Sequence, residues 1–147
     1  MSHSHGDGVS ESVQMYLKEI YLLSRGGDYA KTGELAKRLD VSPPSVTEMF
    51  GRLEENDLLE YEKRRGAVLT DEGESRARRL LRKHCRIERF LVEHLGVEEK
   101  FHEEACRLEH VMSDDIAARL DRYVELEDDC PDCYDPDRQH CSKLDVA

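Results

Sequence analysis

Apolar residues recur at intervals of three and four along most of the chain, and this spacing predicts a mainly α-helical protein. Val13, Leu17, Ile20 and Leu23 follow it closely. These four positions fall on one face of a helix, so an amphipathic helix is expected over residues 10–24.

Capping signals locate the other helices. A short second helix should begin near Thr32. Ser42 followed by Pro43 is typical of an N-cap and first helical position, and predicts a third helix. Thr70, followed by two acidic residues, should start a long helix that ends near His94. Two further helices are expected over residues 98–112 and 114–127.

Two short strands, Leu58–Glu62 and Ala67–Leu69, are predicted around a basic turn. Two short helices with a tight connection, followed by a basic hairpin, are typical of a winged helix-turn-helix, which reads DNA with its second helix. A small helical bundle with a solvated turn is the alternative. The residues expected to contact DNA are Ser42, Pro44, Ser45, Thr47 and Glu48 at the start of the recognition helix, and Arg52, Lys63, Arg64 and Arg65 at phosphates.

Composition limits the class of protein. The 147 residues carry 33 Asp and Glu against 22 Lys and Arg, a net charge of -11 that is unusual for a DNA-binding protein. Seven basic residues between Arg76 and Arg89 could form a phosphate-facing half. No apolar run reaches the ~20 residues of a membrane span. Five cysteines, an odd number, favour free thiols, so a soluble cytoplasmic protein is expected.

A cluster of potential metal ligands lies on the predicted helix after residue 98. Its members occupy an arc of about 100° on that helix, and a second pair stands one turn apart on the preceding long helix. Thiolate, imidazole and carboxylate together suit a first-row divalent ion. A His–Glu pair by itself would instead be a surface hydrogen bond. The candidates are His102, Cys106, Glu109 and His110 on the later helix, and His84 and Glu88 on the long one.

Several segments resemble the diphtheria-toxin-repressor family of metal-dependent transcription regulators. The similarity covers roughly residues 10–125, and EACRLEHVMS is its most specific part. The segments are MYLKEIYLL (15–23), SPPSVTEMFGRLE (42–54), LTDEG (69–73), KHCRIERFL (83–91) and EACRLEHVMS (104–113).

The resemblance implies a winged helix-turn-helix domain followed by a helical dimerisation domain, and two metal sites. In the iron-responsive branch the activating site corresponds to Met15, Cys106, Glu109 and His110. An ancillary site corresponds to His84, Glu88 and His102. The manganese-responsive branch resembles a version with oxygen donors in place of Met15 and Cys106, so sulfur at both positions favours Fe²⁺ over Mn²⁺. Other first-row divalent ions could substitute in vitro.

Three departures from the family pattern qualify the resemblance. We expect a two-domain form without the SH3-like domain that many iron-responsive members add. Glu48 stands where relatives have Gln, so an operator sequence cannot be transferred. The tail residues Cys130, Cys133, His140 and Cys141 form either a metal or redox site or a flexible thiol-bearing segment.

The expected organisation has four parts: a disordered start at 1–8, a DNA-binding domain at 9–73, a metal-binding and dimerisation domain at 74–127, and an acidic, Cys-containing tail at 128–147. The predicted function is a homodimeric, Fe²⁺-dependent repressor of iron-uptake genes. It would bind a palindromic operator once an ion links the reading head to the dimerisation domain. The alternatives are a manganese-responsive regulator, a metal-independent thiol redox sensor, and a di-metal enzyme or iron-storage bundle, for which no substrate pocket or nucleophile is readable.

Overall fold

A computed structural model describes residues 10–126, 130–132, 134–135, 140–141 and 144. It is mainly helical, as the sequence predicts. The helices are α1 (Glu11–Ser24), α2 (Thr32–Leu39), α3 (Pro43–Glu55), α4 (Asp71–Glu93), α5 (Phe101–Val111) and α6 (Asp114–Arg119), and the strands are β1 (Leu59–Glu62), β2 (Gly66–Leu69), β3 (Tyr134–Asp135) and β4 (His140–Cys141).

The described chain divides into two compact units, with the division between Arg78 and Arg79 inside α4. The N-terminal unit spans residues 10–78. The C-terminal unit contains the described residues from 79 onwards. None of the helices in the described ranges is both long and apolar enough to cross a membrane.

The N-terminal unit has the predicted winged helix-turn-helix architecture. α2 ends at Leu39, and the left-handed φ of 56° at the next residue, Asp40, turns the chain into the short connection before α3. The Ser42 hydroxyl accepts a hydrogen bond from the backbone N–H of Ser45 at 3.3 Å, and Pro43 occupies the first helical position. This is the cap that the sequence predicts.

The wing is the antiparallel hairpin of β1 and β2, in which Leu59 pairs with Leu69 and Glu62 pairs with Gly66. Ala30 adds a third partner, since it exchanges backbone hydrogen bonds of 2.8 and 2.9 Å with Ala67. The hairpin is therefore anchored to the segment before α2. The core of the unit lies beneath it and includes Leu17, Ile20, Leu35, Val46, Phe50, Leu53 and Leu59.

In the C-terminal unit, α5 packs on α4 through a small apolar cluster. Ala105 lies with Ile87 and Leu91, and Phe101, Leu108 and Met112 pack around them. Phe101, Ala105 and Leu108 lie on α5, and Met112 directly follows its last residue. The packing brings one polar face of α4 and one of α5 together beside the apolar contact.

Two helix lengths differ from the sequence-based expectation. Lys100 has a left-handed φ of 61°, so α5 begins at Phe101 rather than at 98. α6 ends at Arg119 rather than at 127. The backbone N–H groups of Tyr123 and Val124 both donate to the carbonyl of Leu120. This tight turn ends the helix and buries Val124.

The close approach of α4 to the wing generates a stability prediction. A Cβ at Gly73 would lie 2.1 Å from the backbone carbonyl oxygen of Leu58, whereas a Cβ at Gly51, on the exposed face of α3, would meet nothing within 4 Å. Gly73→Ala should lower the free energy of unfolding by about 3 kcal/mol, because backbone must move. Gly51→Ala should raise it by about 0.5–1 kcal/mol through helix propensity. Urea denaturation of both variants measures the difference, and equal effects would contradict the packing described.

Candidate metal centre and nucleic-acid interface

The candidate metal centre is built from the facing polar positions of α4 and α5. His84 and Glu88 stand one turn apart on α4, and His102, Cys106 and Glu109 share one side of α5. Because residues four apart stack along a helix, each helix presents its donors as a row. The apolar packing of the two helices holds the two rows opposite each other.

His84 lies at the middle of this arrangement. Its Nε2 donates to Glu88 Oε2 at 2.7 Å, and its Nδ1 donates to Glu109 Oε1. Both ring nitrogens thus face carboxylate oxygens, an arrangement that the imidazolium form of the ring satisfies by donating from both nitrogens. Residues 25 apart in the sequence are joined by this contact.

His102 and Cys106 extend the network. The Nδ1 atom of His102 donates to Glu88 Oε2 at 3.2 Å, and its Nε2 lies 3.4 Å from the Sγ of Cys106. Potential donor atoms of His84, His102 and Cys106 all lie within 4.8 Å of one another. Two nitrogens and one sulfur therefore converge on a space that one ion could occupy.

Burial differs across the centre. His84, Glu88 and Glu109 are 1%, 0% and 2% exposed, whereas His102 and Cys106 are half-buried. Buried carboxylates require charged or hydrogen-bonded partners. The two imidazoles supply those partners in the structure.

The network shifts the pKa of three of its groups. Burial lowers the pKa of His84, but hydrogen bonds with Cys106, Glu109 and Glu88 outweigh burial and raise it well above its usual value. For His102, burial is likewise outweighed by hydrogen bonds with Cys106 and Glu88, which raise the pKa to about 9. Burial raises the pKa of Cys106, but hydrogen bonds from the two histidines lower it to about 7. The thiol is therefore close to ionisation at neutral pH.

The predicted ligands are grouped differently from the two sites that the resemblance implies. Cys106 and Glu109, expected in the activating site, contact His102 and His84, expected in the ancillary site. The reason is that 102, 106 and 109 share one side of α5, so they meet the same residues of α4. His110 lies at the edge of the group, with Nε2 3.9 Å from Glu109 Oε2.

Met15 belongs to the N-terminal unit and is 40% exposed. It lies on α1, whose buried positions are Tyr16, Leu17, Ile20, Tyr21 and Leu22. Met15 is therefore not part of the core of its own unit.

The structure describes only part of the Cys-containing tail. Cys130 is 1% exposed, and its carbonyl accepts a hydrogen bond from Arg82. Cys133 and the side chains of His140 and Cys141 lie outside the described residues. Sequence reasoning missed Tyr134, whose ring lies against His84 with centroids 5.6 Å apart. A lone tyrosine in a polar tail gives no periodic signal that could have found it.

The candidate nucleic-acid interface is an exposed surface of the N-terminal unit. Val46, Met49, Phe50 and Leu53 of α3 point inward. All nine predicted DNA-contacting residues are exposed: Ser42, Pro44, Ser45, Thr47, Glu48, Arg52, Lys63, Arg64 and Arg65.

Within the wing, the Arg65 side chain contacts Tyr29 of the same unit. Its guanidinium lies over the ring of Tyr29, 5.3 Å from the centroid, and donates to the Tyr29 hydroxyl at 3.3 Å. That hydroxyl donates to Glu62 at 2.7 Å. These contacts fix the position of Arg65 at the base of the turn.

The basic residues of α4 mainly contact other residues of the same chain. This corrects the expectation that they form a phosphate-facing half. Arg82 and Lys83 donate to backbone carbonyls. Arg86 pairs with Asp121 at 2.5 Å and Arg89 with Glu93 at 3.1 Å. Most of this positive charge is therefore committed to holding helices and loops together.

A winged helix-turn-helix unit followed by a helical unit with a His, Glu and Cys cluster is the arrangement of a metal-dependent transcriptional regulator. Two family models match the chain. "Iron dependent repressor, N-terminal DNA binding domain" matches residues 8–67, and "Iron dependent repressor, metal binding and dimerisation domain" matches residues 70–135. The chain belongs to this family, the diphtheria-toxin-repressor family of metal-dependent regulators, which confirms the resemblance and the predicted fold class.

Individual relatives include an uncharacterised regulator, a diphtheria toxin repressor and a manganese-activated repressor. The chain is 43% identical over 119 residues to an uncharacterised helix-turn-helix regulator of Methanocaldococcus jannaschii, covering 80% of this chain and 95% of that one. It is 40% identical over 111 residues to the diphtheria toxin repressor of Corynebacterium jeikeium, covering 75% and 46%. The structure of the manganese-activated repressor ScaR matches with a TM-score of 0.68 and 43% identity, covering 80% and 56%. The chain thus spans about half the length of the last two.

The exposure of the described cysteines predicts their reactivity. Cys106 is half-buried with a pKa of about 7, whereas Cys85 and Cys130 are buried. In metal-free protein at pH 7, iodoacetamide should alkylate Cys106 at least about tenfold faster than either buried thiol. Timed quenching and peptide mapping by mass spectrometry measure the rates, with urea-unfolded protein as the control. Earlier labelling of Cys85 or Cys130 would contradict the placement of Cys106.

Proposed function

We propose that this protein is a homodimeric, Fe²⁺-activated repressor of iron-uptake genes. The observation that carries the proposal is the convergence of His84, His102 and Cys106 donor atoms within 4.8 Å beside two buried carboxylates. Sulfur and nitrogen donors favour a borderline transition ion over Ca²⁺ or Mg²⁺. The cytoplasm is the compartment in which such a regulator would act.

The residues present fit a divalent ion. Glu88 and Glu109 are almost fully buried carboxylates, and the histidines that neutralise them are themselves good ligands. A bound ion would supply the positive charge that the imidazolium protons supply otherwise. Within the C-terminal unit we assign His84, Glu88, His102, Cys106, Glu109 and His110 as the residues that hold iron.

Met15 links this chemistry to DNA binding in the proposal. Its exposed thioether is a soft donor on α1 of the DNA-binding domain. Recruitment of Met15 to an ion held by Cys106 would couple the two domains. A dimer must place its recognition helices about 34–36 Å apart to match a palindromic operator. Restricting the domains would therefore raise operator affinity without a new base contact.

A manganese-responsive regulator is the second candidate. Two buried carboxylates are hard oxygen donors, which Mn²⁺ prefers. Structures of a manganese regulator, SloR, and of manganese-activated ScaR are also among the similar chains, at 40% and 43% identity. The thiol of Cys106 argues for iron over this alternative.

Metal titration of DNA binding tests the proposal. A duplex selected from a random pool with Fe²⁺ and Mn²⁺ both present would serve as the operator. Chelator should abolish its mobility shift, and Fe²⁺ under anaerobic conditions should restore it at about tenfold lower concentration than Mn²⁺. Cys106→Ala should abolish activation because it removes the thiolate, while Cys85→Ala, which removes a buried thiol outside the donor set, should retain it. Equal DNA binding with and without chelator would reject metal activation, and activation by Mn²⁺ at lower concentration would favour the second candidate.

Phosphate contacts of the wing give a second expected result. Lys63 and Arg64 are exposed at the hairpin tip, and each phosphate contact contributes about 0.9 to the slope of log affinity against log salt. Arg64→Ala should weaken binding to all DNA sequences and reduce the slope by about that amount. Arg119→Ala, which removes an exposed arginine paired with Asp115 in the other unit, should leave the slope unchanged. Fluorescence anisotropy across a salt series measures both, and an unchanged slope in Arg64→Ala would remove the wing tip from the interface.

A further inference from the structure

Two short stretches of the tail, residues 130–132 and 134–135, contact α4 at the candidate metal centre through Cys130 and Tyr134. Cys130 and Tyr134 are 1% and 7% exposed. Arg82 of α4 donates to the carbonyl of Cys130 at 2.8 Å, and the backbone N–H of Tyr134 donates to the carbonyl of Pro131 at 2.9 Å. The first contact ties the segment to α4, and the second folds it into a turn that presents the Tyr134 ring.

The Tyr134 ring meets the ring of His84 edge to face. Their centroids are 5.6 Å apart and the ring planes cross at 78°, a geometry that aromatic pairs prefer. Both nitrogens of His84 are already directed at Glu88 and Glu109. Tyr134 therefore contacts the imidazole without competing for its nitrogens, and restricts how far the ring can rotate.

The two sides of the candidate metal centre differ in exposure to solvent. His84, in contact with Tyr134, is 1% exposed. The side chain of His102 is 25% exposed, and Cys106 is half-buried. Within the described part of the C-terminal unit, the Tyr134 side of the candidate centre is thus more shielded from solvent than the His102 and Cys106 side.

We propose that Tyr134 is a positioning residue of the candidate metal centre, and that Cys130, Pro131 and Tyr134 form a wall that slows loss of the ion. This inference rests on the proposed metal site. The ring holds the His84 imidazole in the orientation that binds, and excludes water from the buried carboxylates. Groups that orient a metal-bound histidine typically change metal affinity by about 10–100-fold when removed.

Release of Co²⁺ tests the proposal, because cobalt bound to a thiolate has a charge-transfer absorption that reports on occupancy. Full-length protein loaded with Co²⁺ is mixed with excess chelator in a stopped-flow instrument. Tyr134→Ala should release the ion at least about tenfold faster than the unmodified protein, with little change in the association rate. Tyr134→Phe keeps the ring and should release it within about twofold of the unmodified rate.

Two further variants make the test specific. Tyr123→Ala removes a 59% exposed tyrosine of the same unit that packs on Phe90 and His94, and should leave release unchanged. Arg82→Gln loosens the anchor at Cys130 while keeping the ring, and should accelerate release by a smaller factor. If Tyr134→Ala does not fold, Arg82→Gln tests the proposal instead. Arg82 is not part of the core, so this variant is expected to fold.

The outcomes separate the two proposals. If the unmodified protein binds no Co²⁺, the proposed metal site is wrong and this inference is wrong with it. If it binds Co²⁺ but folded Tyr134→Ala and Arg82→Gln release it at the unmodified rate, only the wall is wrong. If Tyr134→Phe is as impaired as Tyr134→Ala, the phenolic hydroxyl and not the ring is responsible, and shielding by the ring is rejected.

Discussion

The C-terminal unit depends on how two buried carboxylates are neutralised. Glu88 and Glu109 lie on different helices and are almost completely removed from water. An isolated buried carboxylate would cost several kcal/mol and would oppose the packing of α4 on α5. His84 resolves this by bridging both carboxylates through its two ring nitrogens. The same contact therefore joins the two helices and lies at the middle of the candidate metal centre.

Charge balance connects this contact to the proposed function. The donors comprise two carboxylates, one thiol close to ionisation, and two imidazoles whose pKa is raised. Exchange of the two imidazole protons for one divalent cation leaves the net charge of the group unchanged. In the proposed function, the bound cation thus takes over the role of the two imidazolium protons beside the buried carboxylates.

The sequence was most informative where the signal is local. Caps such as Ser42 and the three- and four-residue spacing of apolar positions predict where the helices lie, because both signals depend on residues within one or two turns. The i, i+4 spacing likewise placed His84 beside Glu88. It could not predict that His84 also contacts Glu109, since that depends on how α4 and α5 are rotated about their axes. The end of α6 and the position of Tyr134 were missed for the same reason: both are set by tertiary contacts.

The acidic composition is consistent with DNA binding when the distribution of charged residues along the sequence is considered. The N-terminal unit, residues 10–78, carries eleven Lys and Arg against fourteen Asp and Glu, so a duplex is not attracted to the unit as a whole. Positive charge is concentrated at the wing, and Glu48 adds negative charge to the recognition helix. Such a surface weakens sequence-independent binding, which relies on long-range attraction to phosphates. Affinity must then come from close contacts that form only when two recognition helices fit their half-sites together. In the proposed function this makes DNA binding more sensitive to domain geometry, and hence to the ion, than it would be on a basic surface.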